Sequence, residues 1–302
     1  DSFNFNTCGI NVLDVTLTVI DNQLPGCTSS VTNPISINCN PVADFDWTDT
    51  CQGNYTIFTN QSTNGGTGPI ITQWNWTHSG GSYVTPTNSS STNPLYLYDT
   101  CGASYLTTLV VTDNYGCTDS TSQYIEVWCN PIAIIDSVLP VCEDDTTLFS
   151  NSSLDGSAPI VNYSWNMGGA GNYVNGTSSN SQNPQYVYTN CDTYTVTLTV
   201  TDDNGCTHDT TFTVTVHCPP VVDFTSSIVC ENDFTVFTPS VDTLITGNSI
   251  VNWNWSFGSN LANDSFNFNT CGINVLDVTL TVIDNQLPGC TSSVTNPISI
   301  NC

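Results

Sequence analysis

Residues 194–206 read Tyr194-Thr195-Val196-Thr197-Leu198-Thr199-Val200-Thr201-Asp202-Asp203-Asn204-Gly205-Cys206. Apolar side chains alternate with threonines up to Thr201, the period of a β-strand that turns one face to a core. Asp-Asn-Gly then supplies what a tight turn needs: Gly for a left-handed backbone and Asx for side-chain bonds to the main chain. The pattern recurs from Leu106 to Asp113 before Asn114-Tyr115-Gly116-Cys117, and from Val278 to Asp284 before Leu287-Pro288-Gly289-Cys290. Nothing in the chain reads as an amphipathic helix.

Other landmarks keep the same order around each of these strands. Upstream lie Trp74-Asn75-Trp76-Thr77, Tyr163-Ser164-Trp165-Asn166 and Trp253-Asn254-Trp255-Ser256, where alternation places the aromatics on one strand face. Between them and the long strand come Asn93-Pro94-Leu95-Tyr96-Leu97-Tyr98 and Asn183-Pro184-Gln185-Tyr186-Val187-Tyr188, matched loosely by Asn263-Asp264-Ser265-Phe266-Asn267-Phe268. Downstream lie the junctions Cys39-Asn40-Pro41, Cys129-Asn130-Pro131 and Cys218-Pro219-Pro220. They cut the chain into blocks 40–129, 130–218 and 219–302, of 90, 89 and 84 residues. Short strands with turn signals every 8 to 12 residues predict an all-β antiparallel sandwich in each block.

The three blocks together make a longer period of 263 residues, because residues 264–302 repeat residues 1–39 letter for letter. Such a period marks a tandem array. Either the sequence is a window on a longer repetitive polypeptide, or it is a protomer whose ends overlap with identical neighbours.

Composition narrows the function. The 302 residues contain no Lys or Arg and 26 Asp and Glu, a formal charge of −26. That excludes nucleic acid and anionic membranes as direct partners, since both are bound through cations. It also removes every trypsin-type cleavage site. Only 9% of residues are charged while 38% are hydrophobic and 10% aromatic, so the chain is not a disordered acidic tail. No apolar run is long enough for a membrane helix. Fifteen cysteines at regular spacing point to disulfides made in an oxidising compartment. The expected location is therefore extracellular or cell-surface, with Asp1 a processed or truncated start and any export signal outside this stretch.

At Trp255-Ser256-Phe257-Gly258-Ser259-Asn260 and Tyr194 to Cys206 the blocks resemble the PKD repeat, an immunoglobulin-like domain common in tandem on bacterial and archaeal surface proteins. The resemblance covers the whole chain. It implies end-to-end sandwich domains at 40–129, 130–218 and 219–302, with 1–39 the C-terminal half of a further domain. The chain departs from the family at the tryptophan turn, where acidic positions are Ser, Thr, Asn or Gly.

In a sandwich of this topology the second and sixth strands run the same way, which predicts intradomain bridges Cys51–Cys101, Cys142–Cys191 and Cys230–Cys271. The turn before the last strand lies at the opposite end, which predicts junction bridges Cys39–Cys117, Cys129–Cys206 and Cys218–Cys290. Cys8, Cys27 and Cys302 are then left for neighbouring repeats. A competing connectivity pairs Cys51 with Cys117 and the junction cysteines with each other. A metal site is the other reading, against which the Cys-x-x-Cys spacing is absent. Without Lys there are no isopeptide crosslinks, so disulfides are the covalent staple.

Nine sequons occur, at Asn54, Asn60, Asn75, Asn88, Asn151, Asn162, Asn175, Asn254 and Asn263, about as many as this composition supplies by chance. Asn75 and Asn254 alternate with inward aromatics and are expected to face outward, where they could carry glycan. No cofactor is expected. Glu143-Asp144-Asp145 and Asp202-Asp203 have the oxygen chemistry of a calcium site, against a plainer reading as turn and strand-end residues on a solvated face. Trp76, Trp165 and Trp255 are expected in cores, whereas Trp47, Trp128 and Tyr83 could form a carbohydrate platform. His78, His208 and His217 do not recur at equivalent places and no nucleophile sits beside a base in a recognisable motif, so no enzyme is expected. The functional expectation is a disulfide-stiffened extracellular fibre whose partner is itself, with the stalk of a large adhesin or secreted hydrolase as the alternative.

Overall fold

Thr193–Asp202 is a strand in which Tyr194, Val196, Leu198, Val200 and Asp202 are buried while the intervening threonines face outward or lie half-buried. The computed structural model describes residue 8 and residues 13–66, 68–244, 248–269 and 271–302; residues 1–7 and 9–12 of the expected half-domain lie outside them. No helix occurs among the described residues. The chain divides into two compact units, Asp1–Asn130 and Pro131–Cys302.

In the second unit, Thr193–Asp202 pairs antiparallel with Ile160–Asn166 on one side and Thr207–His217 on the other. Val141–Cys142 adds a short parallel edge to the last of these. A second sheet of Thr146–Leu148, Gln185–Tyr188 and Gly171–Tyr173 faces it. Trp165, Phe149, Met167, Tyr186, Tyr188 and the valines of the long strands fill the space between. The same unit contains a further pair of sheets, Val221–Ser226 with Phe234–Asp242 and Asp264–Asn267, and Ile250–Trp255 with Gly272–Asp284 and Thr291–Ile300. Phe224, Phe237, Trp255, Val278, Leu280 and Val282 form their core.

The first unit repeats the plan. Ile71–His78, Ser104–Asp113, Thr118–Trp128 and the parallel edge Thr50–Cys51 form one sheet; Phe45–Trp47, Thr56–Asn60, Leu95–Leu97 and Ser82–Tyr83 form the other. Its core holds Phe45, Phe58, Trp76, Tyr96, Tyr98 and Leu109. Ahead of this sandwich, Leu13–Ile20 and Thr28–Ile35 make a two-stranded hairpin.

Three local devices recur. Each strand that carries a core tryptophan has a register shift, between Ile71 and Gln73, Ile160 and Asn162, and Ile250 and Asn252. The buried indoles donate from Nε1 to a loop carbonyl: Trp76 to Ser91 at 2.9 Å, Trp165 to Ser181 at 3.0 Å and Trp255 to Leu261 at 2.9 Å. Gly116 and Gly205 take φ of 86° and 83° in their turns, the left-handed conformation that Gly adopts without steric cost.

Candidate functional site: four cysteine positions and an open hairpin

Each repeat places cysteine at four structural positions. The first opens the parallel edge: Thr50–Cys51 and Val141–Cys142 pair with Val127–Trp128 and Val216–His217, and Cys230 bridges Asn301 in the same parallel sense. The following amide then donates to the final strand, Gln52 to the Trp128 carbonyl at 2.8 Å, Glu143 to His217 at 2.9 Å and Glu231 to Asn301 at 2.7 Å. The three backbones are superimposable in their hydrogen bonding.

The second position is the turn before the last strand. A strand-end carboxylate accepts from the cysteine amide: Asp113 from Cys117, Asp202 from Cys206 and Asp284 from Cys290, each at 2.8 Å, and Asp21 from Cys27 at 2.9 Å. In return each cysteine carbonyl accepts from the Asp amide. Asp113, Asp202 and Asp284 are almost wholly buried. Asp202 is therefore a turn brace and not, as expected, a residue on a solvated face. The signal was the recurring Asp followed by Gly-Cys, which reads as a turn but hides the burial.

The third and fourth positions begin the long strand and end the repeat, and they bond to each other: Cys8–Cys39, Cys101–Cys129, Cys191–Cys218 and Cys271–Cys302. Their Cα atoms are 4.8, 4.8, 4.9 and 5.0 Å apart, within disulfide reach. This corrects the expected Cys51–Cys101, Cys142–Cys191 and Cys230–Cys271. The long strand and the last strand are hydrogen-bonded neighbours, so the open end of their hairpin brings Cys101 to Cys129 directly. Cys8 and Cys302 are consequently closed within their own hairpins rather than left for neighbouring repeats.

The expected junction bridges Cys39–Cys117, Cys129–Cys206 and Cys218–Cys290 are corrected too, because Cys39, Cys129 and Cys218 are taken by these hairpins. The turn cysteine does meet the preceding block, but at its parallel edge: Cys142 bonds Cys290 across a Cα separation of 5.7 Å. Gln286 beside that turn donates to the Cys218 carbonyl at 3.1 Å, so the junction backbone is adjacent while its thiol points home. Cys51 and Cys206 are also disulfide-bonded. Cys27, Cys117 and Cys230 are free thiols, which also disposes of the alternative Cys51–Cys117 pairing.

The hairpin of residues 13–35 has the same register as its identical copy, Leu13 opposite Ile35 as Leu276 is opposite Ile298. Its surroundings differ. Val278, Leu280 and Val282 are 2%, 0% and 0% exposed, whereas the same residues of the first copy, Val15, Leu17 and Val19, are 44%, 62% and 56% exposed. What covers the second copy is residues 219–263: Ile250–Trp255 pairs with its long strand, and Phe224, Phe237 and Trp255 pack on its face. Asn296 also donates to the Asp223 carboxylate at 2.9 Å and the Phe224 carbonyl at 3.2 Å.

The remaining candidates separate by exposure. Asn54, Asn75, Asn88, Asn162, Asn175, Asn254 and Asn263 are exposed, while Asn60 and Asn151 are half-buried and bonded to nearby loop residues. Asn75 and Asn254 sit at equivalent places in shallow surface hollows, beside Val110 and Thr112 and beside Thr281 and Ile283. Trp47 and Tyr83 pack against the core and Trp128 is half-buried. Trp76, Trp165 and Trp255 are core residues. Glu143 is half-buried and Asp144, Asp145 and Asp203 are exposed, and among the described residues no three His, Cys, Asp or Glu side chains converge on a metal-sized site.

The histidines have local roles. Ala133 donates its amide to His208 Nδ1 at 3.0 Å, and His217 ends the last strand beside Cys142. His78 stacks on Tyr96 with ring centroids 3.8 Å apart, shares a hydrogen bond between Nδ1 and Thr107 Oγ1 at 2.9 Å, and buries Nε2 without a partner. Loss of solvent pulls its pKa down to about 4.

A sequence profile of the PKD domain matches residues 128–216. The PKD1 domain of the Vibrio cholerae metalloprotease PrtV is 34% identical over 29% of this chain and 96% of that domain, with a TM-score of 0.24. The PKD1 domain of Vibrio anguillarum Epp is 36% identical over 30% of this chain and 96% of that domain, with a TM-score of 0.25. An I-band fragment from titin is 14% identical over 87% of this chain and 99% of the fragment, with a TM-score of 0.40. On the profile match and the identity to whole PKD domains, the chain belongs to the PKD domain family, built as tandem immunoglobulin-like sandwiches.

Proposed function

We propose that this chain is the repeating element of an extracellular structural fibre, in which the 263-residue period recurs in register and the domains are 40–129, 130–218 and 219–302. The observation that carries this reading is the identical hairpin seen covered once and bare once. A bare sheet edge with an apolar face is a template for a further strand. The identical second hairpin is covered by residues of the 219–263 segment, so the partner of residues 13–35 is a preceding copy of that segment. The partner of the chain is therefore itself.

A net charge of −26 spread over a polar, cation-free surface keeps neighbouring filaments apart at low ionic strength, and divalent ions would bridge them. The exposed sequons are candidate glycan carriers, with Asn75 and Asn254 displayed on sheet faces. Non-catalytic scaffolding accounts for the braced turns and stapled hairpins without an active centre. A second reading is favoured by the relatives, one of which is a PKD domain of a metalloprotease: the array would then be a spacer carrying a separate head.

Electron microscopy of the native surface material separates the two. At ~3.3 Å per strand residue each domain extends ~35 to 40 Å, so a fibre should show a uniform axial repeat on the order of 110 Å. Filaments that end in a distinct globular head after a fixed number of repeats would favour the spacer.

A further inference from the structure

Building on that reading of a tandem array, we propose that Cys230 forms a disulfide with Cys117 of the following 263-residue repeat, and that Cys27 does so with the Cys142 counterpart of the preceding one. Each of these junctions would then carry one bridge from a parallel-edge cysteine to the turn cysteine of the next domain, as Cys142–Cys290 does.

The assignment follows from which thiols are free. Cys142 and Cys290 belong to adjacent blocks within these 302 residues, and they are bonded to each other. Cys230 is an edge cysteine with no following block here. Cys117 is a turn cysteine preceded only by the hairpin half of a block, which lacks the edge segment. Cys27 is the turn cysteine of that same half. These three are the free ones, Cys27 and Cys230 exposed and Cys117 half-buried.

The backbone at each free thiol already has the conformation of its bonded counterpart. Cys230 keeps the parallel bridge of Cys142, and its carbonyl accepts from Asp233 at 3.0 Å as that of Cys142 accepts from Asp145 at 3.1 Å. Cys117 is held by Asp113 as the oxidised Cys206 is held by Asp202, and Cys27 by Asp21 as Cys290 is held by Asp284. The backbone hydrogen bonds that hold the oxidised counterparts are thus already in place at each free thiol. In the reaction two thiols lose two protons and two electrons, an S–S bond forms between Cys230 and Cys117, and a disulfide-exchange oxidant is reduced to its dithiol.

The test extends the chain by one period, continuing residue 302 with a second copy of residues 40–302, expressed in an oxidising compartment beside the 302-residue chain. Both are unfolded in N-ethylmaleimide without reductant and weighed. The shorter chain carries the three free thiols Cys27, Cys117 and Cys230. In the longer one the first Cys230 and the second Cys117 should consume each other, so the adduct number stays at three, and a peptide joining the two should appear after non-reductive digestion. Cys230→Ser in the first copy should release the second Cys117 to alkylation. Two extra adducts in the longer chain, one on each of those cysteines, would overturn the bridge. That result leaves the fibre reading to the axial repeat of the native material, which is measured independently. Disulfide-linked oligomers of the shorter chain, with Cys230 joined to Cys117, would place the bridge between separate protomers and not along one polypeptide.

Discussion

Leu17 and Leu280 are one residue of the repeat in two surroundings, and replacing each by Ala tests what the surroundings contribute. Leu280 is 0% exposed in a core with Phe237 and Trp255, so Leu280→Ala should cost about 2–5 kcal/mol, the transfer of the lost methyls plus the cavity left behind. Leu17 is 62% exposed, so Leu17→Ala should cost about 0.5 kcal/mol or less. Placing a copy of residues 219–263 ahead of residue 1 should bury Val15, Leu17 and Val19 together. At about 1.5–3 kcal/mol per fully buried side chain, and about half of each side chain moving out of water, docking should gain about 2–5 kcal/mol from these three. In that extended chain Leu17→Ala should become as costly as Leu280→Ala. Urea unfolding followed by tryptophan fluorescence, with hydrogen exchange of the 13–35 hairpin amides, measures both quantities. Equal losses for the two substitutions in the 302-residue chain, or a Leu17→Ala that stays neutral after the extension, would refute the reasoning.

Three further outcomes are expected. Because the folded pKa of His78 is depressed to about 4 from 6.5, the unfolded chain takes up the proton first as pH falls; the stability of the sandwich around His78 should drop by about 1–2 kcal/mol between those values, after allowance for partial exposure, and His78→Phe should flatten that dependence in thermal melts. Asp202→Ala removes the acceptor of the Cys206 amide in a buried turn and should cost about 1–3 kcal/mol in urea unfolding, with Cys206→Ser as the control for loss of the Cys206 disulfide. Reduction opens Cys191–Cys218, which closes a separation of 27 residues, and Cys142–Cys290, which closes 148; on the chain-entropy model they should contribute about 3.5 and about 5 kcal/mol, so the melting temperature should fall in steps as bridges open.

Much of the architecture was legible in short stretches. Tyr194 to Thr201 alternates with the two-residue period of a strand, and Asp-Asn-Gly closes a turn that Gly205 completes at positive φ. Trp165 and its counterparts were readable as core because their neighbours on the strand are polar. His78 was harder: it stands where Met167 and Phe257 stand, one inward step after the tryptophan, so an ionisable group occupies an apolar site. Asp202 was misread because an acidic residue in a turn is usually solvated, and burial depends on what packs over it.

The sequence by itself determined the repeat, the strand and turn grammar, the cores and the oxidising setting, since each rests on residues close along the chain or on composition. Only the tertiary structure decided which cysteines meet. Four oxidisable positions per block are chemically alike, and hairpin registry joins Cys101 to Cys129 where topology alone had favoured Cys51. Tertiary context likewise decided the state of the shared hairpin, whose residues are buried where residues 219–263 supply the facing sheet and exposed in the first copy.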